Sequence, residues 1–222
     1  AKSMQDGIAN VLASSGRIDV LVNNAGYGSY GAIEDVSQEE AKRQFDVNVF
    51  GAMELTKLVL PQMRKQGSGR IINISSVGGR AVGPFGGWYH GTKFALEALS
   101  DSLRMELKPF GIDVVVVEPG GIKSEFLDIA ASGLQATSGN GPYADRVKSM
   151  LASFTNPRMM SMQSPPQVIA DVIARAATVK QPKTRCVAGF GARPLVTLRR
   201  LLSDRAFDSL ISRVSGTPTK RS

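Results

Sequence analysis

The sequence predicts an α/β protein in which one parallel sheet is covered by helices on both faces, a three-layer αβα arrangement. Short apolar segments alternate along the chain with longer stretches of helical periodicity, and this alternation is typical of parallel sheets. Three of the apolar segments run directly into polar or glycine-rich turns. Because ligands of such proteins bind at the carboxyl ends of the strands, we expect the three turns to meet at one binding edge.

The first helix and the first strand are marked by their ends. Apolar side chains recur on one side of residues 4–15, and Gly16 directly after them is a typical helix end. Residues 20–22 are a short apolar run and predict a buried strand. The polar residues 23–26 predict a turn at the end of that strand.

A long second helix and a second strand follow. Ser37 and Glu40 form a capping box, which predicts that a helix begins there and extends over residues 38–65. Residues 70–74 are the next apolar run and predict the second strand. The glycine-rich residues 75–87 after it are predicted to form a loop.

The third helix and the third strand are indicated by residue type. Residues 89–107 have helical periodicity, and Pro109 ends the pattern because proline cannot continue a helix. Residues 113–117 are rich in β-branched side chains and predict a buried strand. Residues 119–121 then turn the chain away from the sheet.

The remaining part of the chain begins with a long irregular segment. Residues 125–164 are rich in Ser, Gly, Asn, Pro and Met and lack a clear period. Since long connections in compact domains are usually functional or disordered, we expect a partly helical excursion that forms a lid over the site. A helix starting at Pro165 and Pro166, a strand over residues 184–188 and one amphipathic helix over residues 195–214 are predicted to follow.

Composition limits the classes of function. The 222 residues are 42% hydrophobic and 21% charged, as in an ordinary globular protein, and no apolar run approaches the ~20 residues of a membrane span. Cys186 is the only cysteine, so no internal disulfide can form, and a reducing, cytoplasmic compartment is expected. One cysteine and one histidine cannot build the usual transition-metal site, so we expect no metal.

The net charge of +8 comes from the last part of the chain. Residues 180–222 hold ten Lys and Arg against two acids, while the preceding residues are balanced. The basic helix predicted over residues 195–214 could contact an anionic membrane surface, or it could pack on the body with its arginines in solvent. The basic residues do not alternate with aromatic ones, which disfavours nucleic acid as a partner.

Tyr89, Lys93 and Ser76 carry the most chemical information in the sequence. Tyr89 and Lys93 lie about one helical turn apart and share a face of the predicted helix. A phenol keeps its proton up to a pH of about 10, but a neighbouring ammonium lowers the phenol pKa, so the phenol can act as acid or base near neutral pH. The Ser76 hydroxyl could bind the same reacting oxygen. The trio indicates carbonyl and alcohol chemistry.

Five motifs, in order along the chain, resemble those of the short-chain dehydrogenases/reductases. They are Asn23-Asn24-Ala25-Gly26, Asn48 within Asp46–Val49, Ser76 within Ile74–Gly78, Tyr89-His90-Gly91-Thr92-Lys93, and Pro119-Gly120. The chain is most similar to the hydroxysteroid- and retinol-dehydrogenase-like branch. The resemblance implies a Rossmann-like doubly wound sheet in a partial dinucleotide-binding domain over residues 1–190, with a basic helix and tail over residues 191–222.

The resemblance also implies NAD(P)-dependent interconversion of an alcohol and a ketone or aldehyde by a catalytic tetrad. Its members would be Asn48, Ser76, Tyr89 and Lys93. Tyr89 would be the acid or base acting on the substrate oxygen, which Ser76 would orient and stabilise. Lys93 would lower the pKa of Tyr89 and bind the nicotinamide ribose, and Asn48 would hold a water molecule that links Lys93 to solvent. NADP or NAD would supply the hydride chemistry.

Contacts to cofactor and substrate follow from the same resemblance. Ser124 stands where the family usually has threonine, and it keeps the hydroxyl. The cofactor contacts would be Asn24, Ala25, Gly26, Asn48, Tyr89, Lys93, Pro119, Gly120, Ile122 and Ser124, and the substrate contacts would be Ser76, Tyr89 and Phe126.

A small lipophilic substrate is expected from the apolar residues of the predicted lid. Steroid-, retinoid- or lipid-like alcohols and ketones would fit, because methionine adapts to irregular ligands; ordinary helix packing is the alternative. The residues concerned are Phe126, Leu127, Leu151, Phe154, Met159, Met160 and Met162. His90 is expected to face away from the Tyr89–Lys93 pair, because neighbours on a helix point about 100° apart.

The chain departs from the family pattern in one respect. Family members begin with a strand and a glycine-rich turn that holds the pyrophosphate at a helix N-terminus, and the 222 residues contain no such turn. We interpret the chain as a fragment of a full enzyme rather than a short form, because residues 20–22 would otherwise form an exposed apolar edge strand. The alternative is an inactive fragment or pseudoenzyme scaffold. The full-length form would be a homodimer or tetramer built on helices 38–65 and 89–107.

From the lack of a glycine-rich turn we expect the 222-residue chain to bind NADPH and NADH weakly, since the pyrophosphate would miss its usual backbone donors. Fluorescence titration with each dinucleotide measures this. A micromolar Kd for either one would contradict the expectation.

Overall fold

The computed structural model describes residues 2–217 and contains a parallel sheet flanked by helices. Every neighbouring pair of the four strands is parallel, and the strands lie side by side in chain order. The predicted α/β class with a doubly wound, Rossmann-like sheet is therefore confirmed. The strands are β1 (Val20–Asn23), β2 (Gly69–Ile74), β3 (Ile112–Pro119) and β4 (Arg185–Ala188).

The helices agree with most of the predicted positions. Ser37 is the N-cap of α2, with the Glu40 amide donating to its hydroxyl over 3.1 Å, while the Glu40 carboxylate accepts from the Tyr27 hydroxyl. A π-helical turn, Asp46–Gly51, divides the helix predicted over residues 38–65. The helices are α1 (Lys2–Ser15), α2 (Gln38–Phe45), α3 (Ala52–Gln66), α4 (Gly87–Leu107), α5 (Phe126–Ser138), α6 (Ala144–Phe154), α7 (Pro157–Met162), α8 (Gln167–Thr178), α9 (Ala192–Leu201) and α10 (Asp204–Val214).

The two central strands are buried on both faces. Side chains alternate between the faces of a strand, and Ile71 of β2 and Val114 of β3 pack with residues of α1, α3 and α4. Their chain neighbours Ile72 and Val115 pack with α8 on the opposite face. Fully burying each such side chain contributes about 1.5–3 kcal/mol, so the core fixes the strand ends that carry the site.

A charged cluster lies near the carboxyl end of β3 and the first residue of β4. Glu118 is fully buried, and one of its carboxylate oxygens lies 3.2 Å from Arg80 and 3.2 Å from Arg185. Arg185 also contacts Glu97 at 3.1 Å and Asp101 at 2.6 Å, both on α4. These contacts connect β3, β4, α4 and the loop after β2. A buried carboxylate is costly unless it is paired, so the cluster holds these four segments in one arrangement.

The prediction of one helix over residues 195–214 is wrong. The structure has two helices, α9 and α10, because Ser203 adopts an extended backbone and α10 begins at Asp204. Serine and aspartate favour helix starts over helix interiors. The break lets Ala192 and Phe207 both become buried against the body. The division of the chain at residue 190 stays a prediction, and residues 218–222 of the predicted tail lie outside the described residues.

The fold does not test the predictions on membrane contact, cellular location and oligomeric state. Among residues 2–217, no helix combines the length and the apolarity needed to cross a bilayer. Contact of residues 195–214 with a membrane surface, the cytoplasmic location and the homodimer or tetramer stay predictions. The helices expected to form the dimer face do carry exposed apolar side chains, Phe50 beside α3 and Phe94 and Met105 on α4.

Arg185→Met should lower the free energy of unfolding by about 3 kcal/mol, because it removes a charge that compensates the buried carboxylates of Glu97 and Glu118. Urea denaturation measures the effect. Arg200→Met is the matched control, since Arg200 is exposed and surface substitutions usually change stability by under ~0.5 kcal/mol. Equal unfolding free energies for the two variants would contradict the role of the cluster.

Candidate active site

The three polar turns at the carboxyl ends of β1, β2 and β3 meet at one cavity of about 680 Å³, as the sequence predicts. Most residues assigned from the family resemblance are in its wall. Ala25 and Asn48 are not among the lining residues. Those that line the cavity are Asn24, Gly26, Ser76, Tyr89, Lys93, Pro119, Gly120, Ile122, Ser124 and Phe126.

Lys93 lies in the second turn of α4 and is 6% exposed. Its Nζ atom donates a hydrogen bond of 2.9 Å to the Ile74 carbonyl at the end of β2, and it lies 5.9 Å from the centre of the Tyr89 ring. Burial lowers the pKa of Lys93 to about 8, and the charge of Glu97 opposes that shift. Near neutral pH this amine can therefore both hold and release a proton.

Tyr89 has a pKa above the usual value of a phenol. Burial raises it, because the phenolate would lose its hydration, and the neighbouring Ser76 hydroxyl opposes the shift. Lys93 is not among the causes of this shift, and its expected lowering of the pKa of Tyr89 stays a prediction. Tyr89 is therefore a neutral phenol and a hydrogen-bond donor.

Ser76 begins the short turn of residues 77–79 in an extended backbone conformation. Its oxygen accepts a hydrogen bond of 2.9 Å from the Gly78 amide. This bond occupies one lone pair of the oxygen and leaves the hydroxyl hydrogen available to a ligand in the cavity.

Asn48 lies in the π-helical turn and is buried behind the cavity wall. Its oxygen accepts from the Tyr27 amide at 3.0 Å, and its amide donates to the Tyr27 carbonyl at 2.8 Å and to the Thr92 hydroxyl at 3.0 Å. The asparagine thus joins the turn after β1 to α4. Turns of π-helix occur frequently at functional sites.

Gly26 keeps a space open between Asn48 and Lys93. A Cβ atom at this position would lie 3.1 Å from Asn48 Oδ1 and 3.5 Å from Lys93 Nζ. The Lys93 amine uses one of its hydrogens on Ile74, so further donors remain beside this space. A ligand in the cavity could therefore accept a hydrogen bond from Lys93.

The other part of the cavity is aromatic and apolar. The Tyr30 ring lies 5.9 Å from the Tyr89 ring, 6.4 Å from Phe126 and 6.1 Å from Phe154, measured between centroids. Tyr30 is buried, and sequence reasoning did not select it. Its position in the loop after β1, at the binding edge, is the signal that could have found it.

The residues that line the cavity differ in part from those predicted. Phe126, Leu127 and Phe154 line the cavity as expected, and Leu151 packs behind it. The three methionines of α7 do not line the cavity and are exposed, because α7 turns them to the surface. Additional apolar lining comes from residues that the sequence analysis did not name: Met150, Leu195 and Ile211. Movement of residues 125–164 as a lid stays a prediction.

His90 lies in the cavity wall. Its ring centroid is 5.7 Å from that of Tyr89. The expectation that it faces away from the Tyr89–Lys93 pair considered only directions around α4 and not the loop before the helix. The loop before the helix folds back over this face and surrounds the imidazole.

The cavity wall thus brings together a phenol, a hydroxyl and a buried amine. The sequence profile of short chain dehydrogenases matches residues 1–133. The chain belongs to the short-chain dehydrogenase family.

Solved structures of short-chain dehydrogenases resemble the whole described fold. A short-chain dehydrogenase from Streptomyces avermitilis has 37% sequence identity and a TM-score of 0.75, over 97% of this chain and 77% of its own. A metagenomic short-chain oxidoreductase in complex with NADP has 26% identity and a TM-score of 0.61, over 84% of this chain and 69% of its own.

A curated relative in the same family acts on a named ketone. It is the 3-ketodihydrosphingosine reductase of Bacteroides thetaiotaomicron, 42% identical over 143 residues. The match spans 64% of this chain and 53% of the relative.

Gly26→Ala should reduce dehydrogenase turnover roughly tenfold to a hundredfold, because the added methyl group fills the space between Asn48 and Lys93 and displaces the reacting groups. Gly26 does not have a positive φ, so its backbone accepts alanine, and any loss of stability comes from the 3.1 Å contact of the added Cβ with Asn48. Steady-state kinetics and urea denaturation measure the two effects. Gly133→Ala is the control, because nothing lies within 4 Å of its added Cβ; equal turnover for both variants would contradict the assignment.

Proposed function

We propose that the protein is an NAD(P)-dependent oxidoreductase that interconverts a lipophilic alcohol and its ketone or aldehyde. One observation carries this proposal. The Tyr89 phenol and the Ser76 hydroxyl lie in the wall of an otherwise largely apolar cavity, with the buried Lys93 amine behind them. Such a site presents hydrogen-bond donors to one oxygen of a substrate whose remaining surface is apolar.

The proposed acid is the neutral phenol of Tyr89. In the reducing direction it donates its proton to the substrate oxygen, while the Ser76 hydroxyl donates a second hydrogen bond to that oxygen. A phenolate formed in the buried site would be unstable, as the raised pKa of Tyr89 indicates. Lys93, with a pKa of about 8, is the nearby group that returns the proton. In the oxidising direction the same transfers run in reverse.

NADP or NAD would supply or accept the hydride. The residues proposed to hold it are those at the strand ends, with Asn24 and Gly26 after β1 and Pro119 and Gly120 after β3. The NADP complex of the metagenomic relative supports a nicotinamide dinucleotide as the cofactor. The choice between NADP and NAD is part of the experiment below.

The substrate is proposed to be a steroid-, retinoid- or lipid-like molecule, of which a long-chain ketone is favoured. The aromatic rings around Tyr89 and the side chains of Leu195 and Ile211 provide apolar contact to a hydrocarbon chain. The name of the Bacteroides relative, a reductase of 3-ketodihydrosphingosine, supports the same class.

Reduction of methyl ketones with four to ten carbons tests the proposal, with millimolar NADPH or NADH as the donor. We expect kcat/KM to rise by roughly fourfold per methylene over the part of the series that fits the cavity, because each buried methylene contributes about 0.8 kcal/mol. Loss of dinucleotide absorbance measures the rate. Turnover that is independent of chain length would contradict a lipophilic substrate.

Tyr89→Phe is the matched variant for the chemistry, since it removes only the hydroxyl. It should reduce kcat roughly a hundredfold to ten-thousandfold, the usual contribution of a general acid. Unchanged turnover in this variant would exclude Tyr89 as the acid, whatever the substrate.

A further inference from the structure

His90 is held by two backbone groups of the loop that precedes α4. Its Nδ1 atom lies 3.0 Å from the Gly78 carbonyl oxygen, and the Gly83 amide donates a 3.1 Å hydrogen bond to its Nε2 atom. An amide nitrogen can only donate, so Nε2 is an acceptor and carries no hydrogen. The hydrogen must then be on Nδ1, which donates to the Gly78 carbonyl. The two contacts together specify a neutral imidazole in one tautomer.

The loop backbone is fitted closely to the imidazole. A Cβ atom at Gly78 would lie 2.9 Å from Nδ1, and one at Gly86 would lie 2.8 Å from Nε2. Real Cβ atoms do not make such short contacts, so these two glycines permit the loop to lie directly against the ring. The imidazole therefore fixes the loop at both ends of residues 78–86.

Gly78, which contacts His90, also contacts Ser76, the residue proposed to bind the substrate oxygen. The same glycine whose carbonyl accepts from His90 uses its amide to donate to the Ser76 oxygen over 2.9 Å. The position of Gly78 thus determines which lone pair of the Ser76 oxygen is occupied. The remaining directions around that oxygen are those in which the hydroxyl hydrogen can point.

Gly83, which donates a hydrogen bond to His90, is itself part of the cavity wall. Residues 81–84 line the cavity, and a Cβ atom at Gly83 would lie 3.8 Å from the Ile211 side chain of α10. Loss of the bond between His90 and Gly83 would release this part of the wall.

We propose that His90 is a positioning residue of the reaction, whose neutral Nδ1–H imidazole holds residues 77–86 and thereby directs the Ser76 hydroxyl and closes the cavity. The proposal rests on the proposed function for the role of Ser76. Protonation of His90 puts a hydrogen on Nε2, opposite the hydrogen of the Gly83 amide, and removes the acceptor. Turnover should therefore fall on the acid side as His90 becomes charged.

The surroundings of His90 favour its neutral form. Burial lowers the pKa of His90, and the bond to the Gly78 carbonyl opposes that shift. An unfolded histidine has a pKa near 6.5, so below that pH the unfolded chain binds more protons than the folded one. The stability that His90 contributes is thus fully present above pH ~6.5 and is lost as the pH falls through the lower folded pKa.

Other titratable groups near His90 come from each element packed around it. On α4 they are Tyr89 and Lys93; in the loop, Arg80 is paired with the buried Glu118. Tyr30 packs against Gly86, where an added Cβ atom would lie 3.0 Å from its ring.

The first test is nuclear magnetic resonance of His90, which is the only histidine of the chain. Nitrogen-15 labelling of the ring gives the tautomer directly. We expect a protonated Nδ1 and an unprotonated Nε2 at pH 7.5, and a titration midpoint below the ~6.5 of free histidine. A protonated Nε2 at pH 7.5, or a midpoint at or above that of free histidine, would overturn the proposal. This test needs no turnover, so it is independent of the proposed function.

The second test compares two variants at His90. His90→Gln keeps one donor and one acceptor but cannot titrate, and His90→Phe keeps a ring without either. We expect His90→Phe to lower kcat roughly tenfold, the effect of losing two ordinary hydrogen bonds, and His90→Gln to restore most of that loss. The acid limb at the His90 midpoint should be present in the wild type and missing in His90→Gln.

Kinetics with the methyl ketone series over pH 5–8 and urea denaturation of each variant complete the comparison. An acid limb that persists in His90→Gln at the same midpoint, or wild-type kcat in folded His90→Phe, would overturn the proposal. If the wild type shows no turnover, the proposed function fails. The imidazole tautomer and the hydrogen exchange of the Gly83 amide, which should be protected in the wild type and fast in His90→Phe, then decide the role of His90.

Discussion

The pairing of one buried carboxylate with two arginines connects the parts of the candidate site. Glu118 is fully buried at the end of β3, and Arg80 and Arg185 provide its opposing charge. Arg80 belongs to the loop that also contacts His90, and Arg185 connects β4 to Glu97, one helical turn beyond Lys93. Since an unpaired buried charge is strongly destabilising, separating the loop from β3, β4 or α4 would be costly.

Desolvation acts on the two proton-transferring groups in opposite directions. It raises the pKa of Tyr89 and lowers the pKa of Lys93 to about 8, because in each case it disfavours the charged form. The pKa of the Lys93 amine, ordinarily slightly above that of a phenol, thereby falls below that of Tyr89. The protonated amine can therefore give its proton to a Tyr89 phenolate. A single physical effect, exclusion of water from the wall of the cavity, thus prepares both groups for the proposed transfers.

The sequence predicts the parts of this structure that depend on local patterns. The strands, their polar ends and the Tyr89–Lys93 spacing follow from periodicity and residue type, and the structure brings the strand ends together. The positions of Tyr30 and His90 in the cavity do not follow, because they depend on loops folding against α4 and on glycines that permit close approach. The break at Ser203 had a local signal in the Ser-Asp pair, but the arginine periodicity of residues 195–214 favoured one continuous helix. Composition likewise suggested the methionines of α7 as lining residues, although composition does not determine which side of a short helix faces inward.

The cavity is lined partly by residues within the segment that matches the family profile and partly by residues beyond that segment. The strand ends, Ser76, Tyr89 and Lys93 lie within the matched residues 1–133, whereas Met150, Phe154, Leu195 and Ile211 lie beyond them. Ser76, Tyr89 and Lys93 and a part of the apolar wall are thus encoded in different stretches of sequence. Under the proposed function, exchange of the last third of the chain between relatives should alter the substrate range while these three residues stay unchanged.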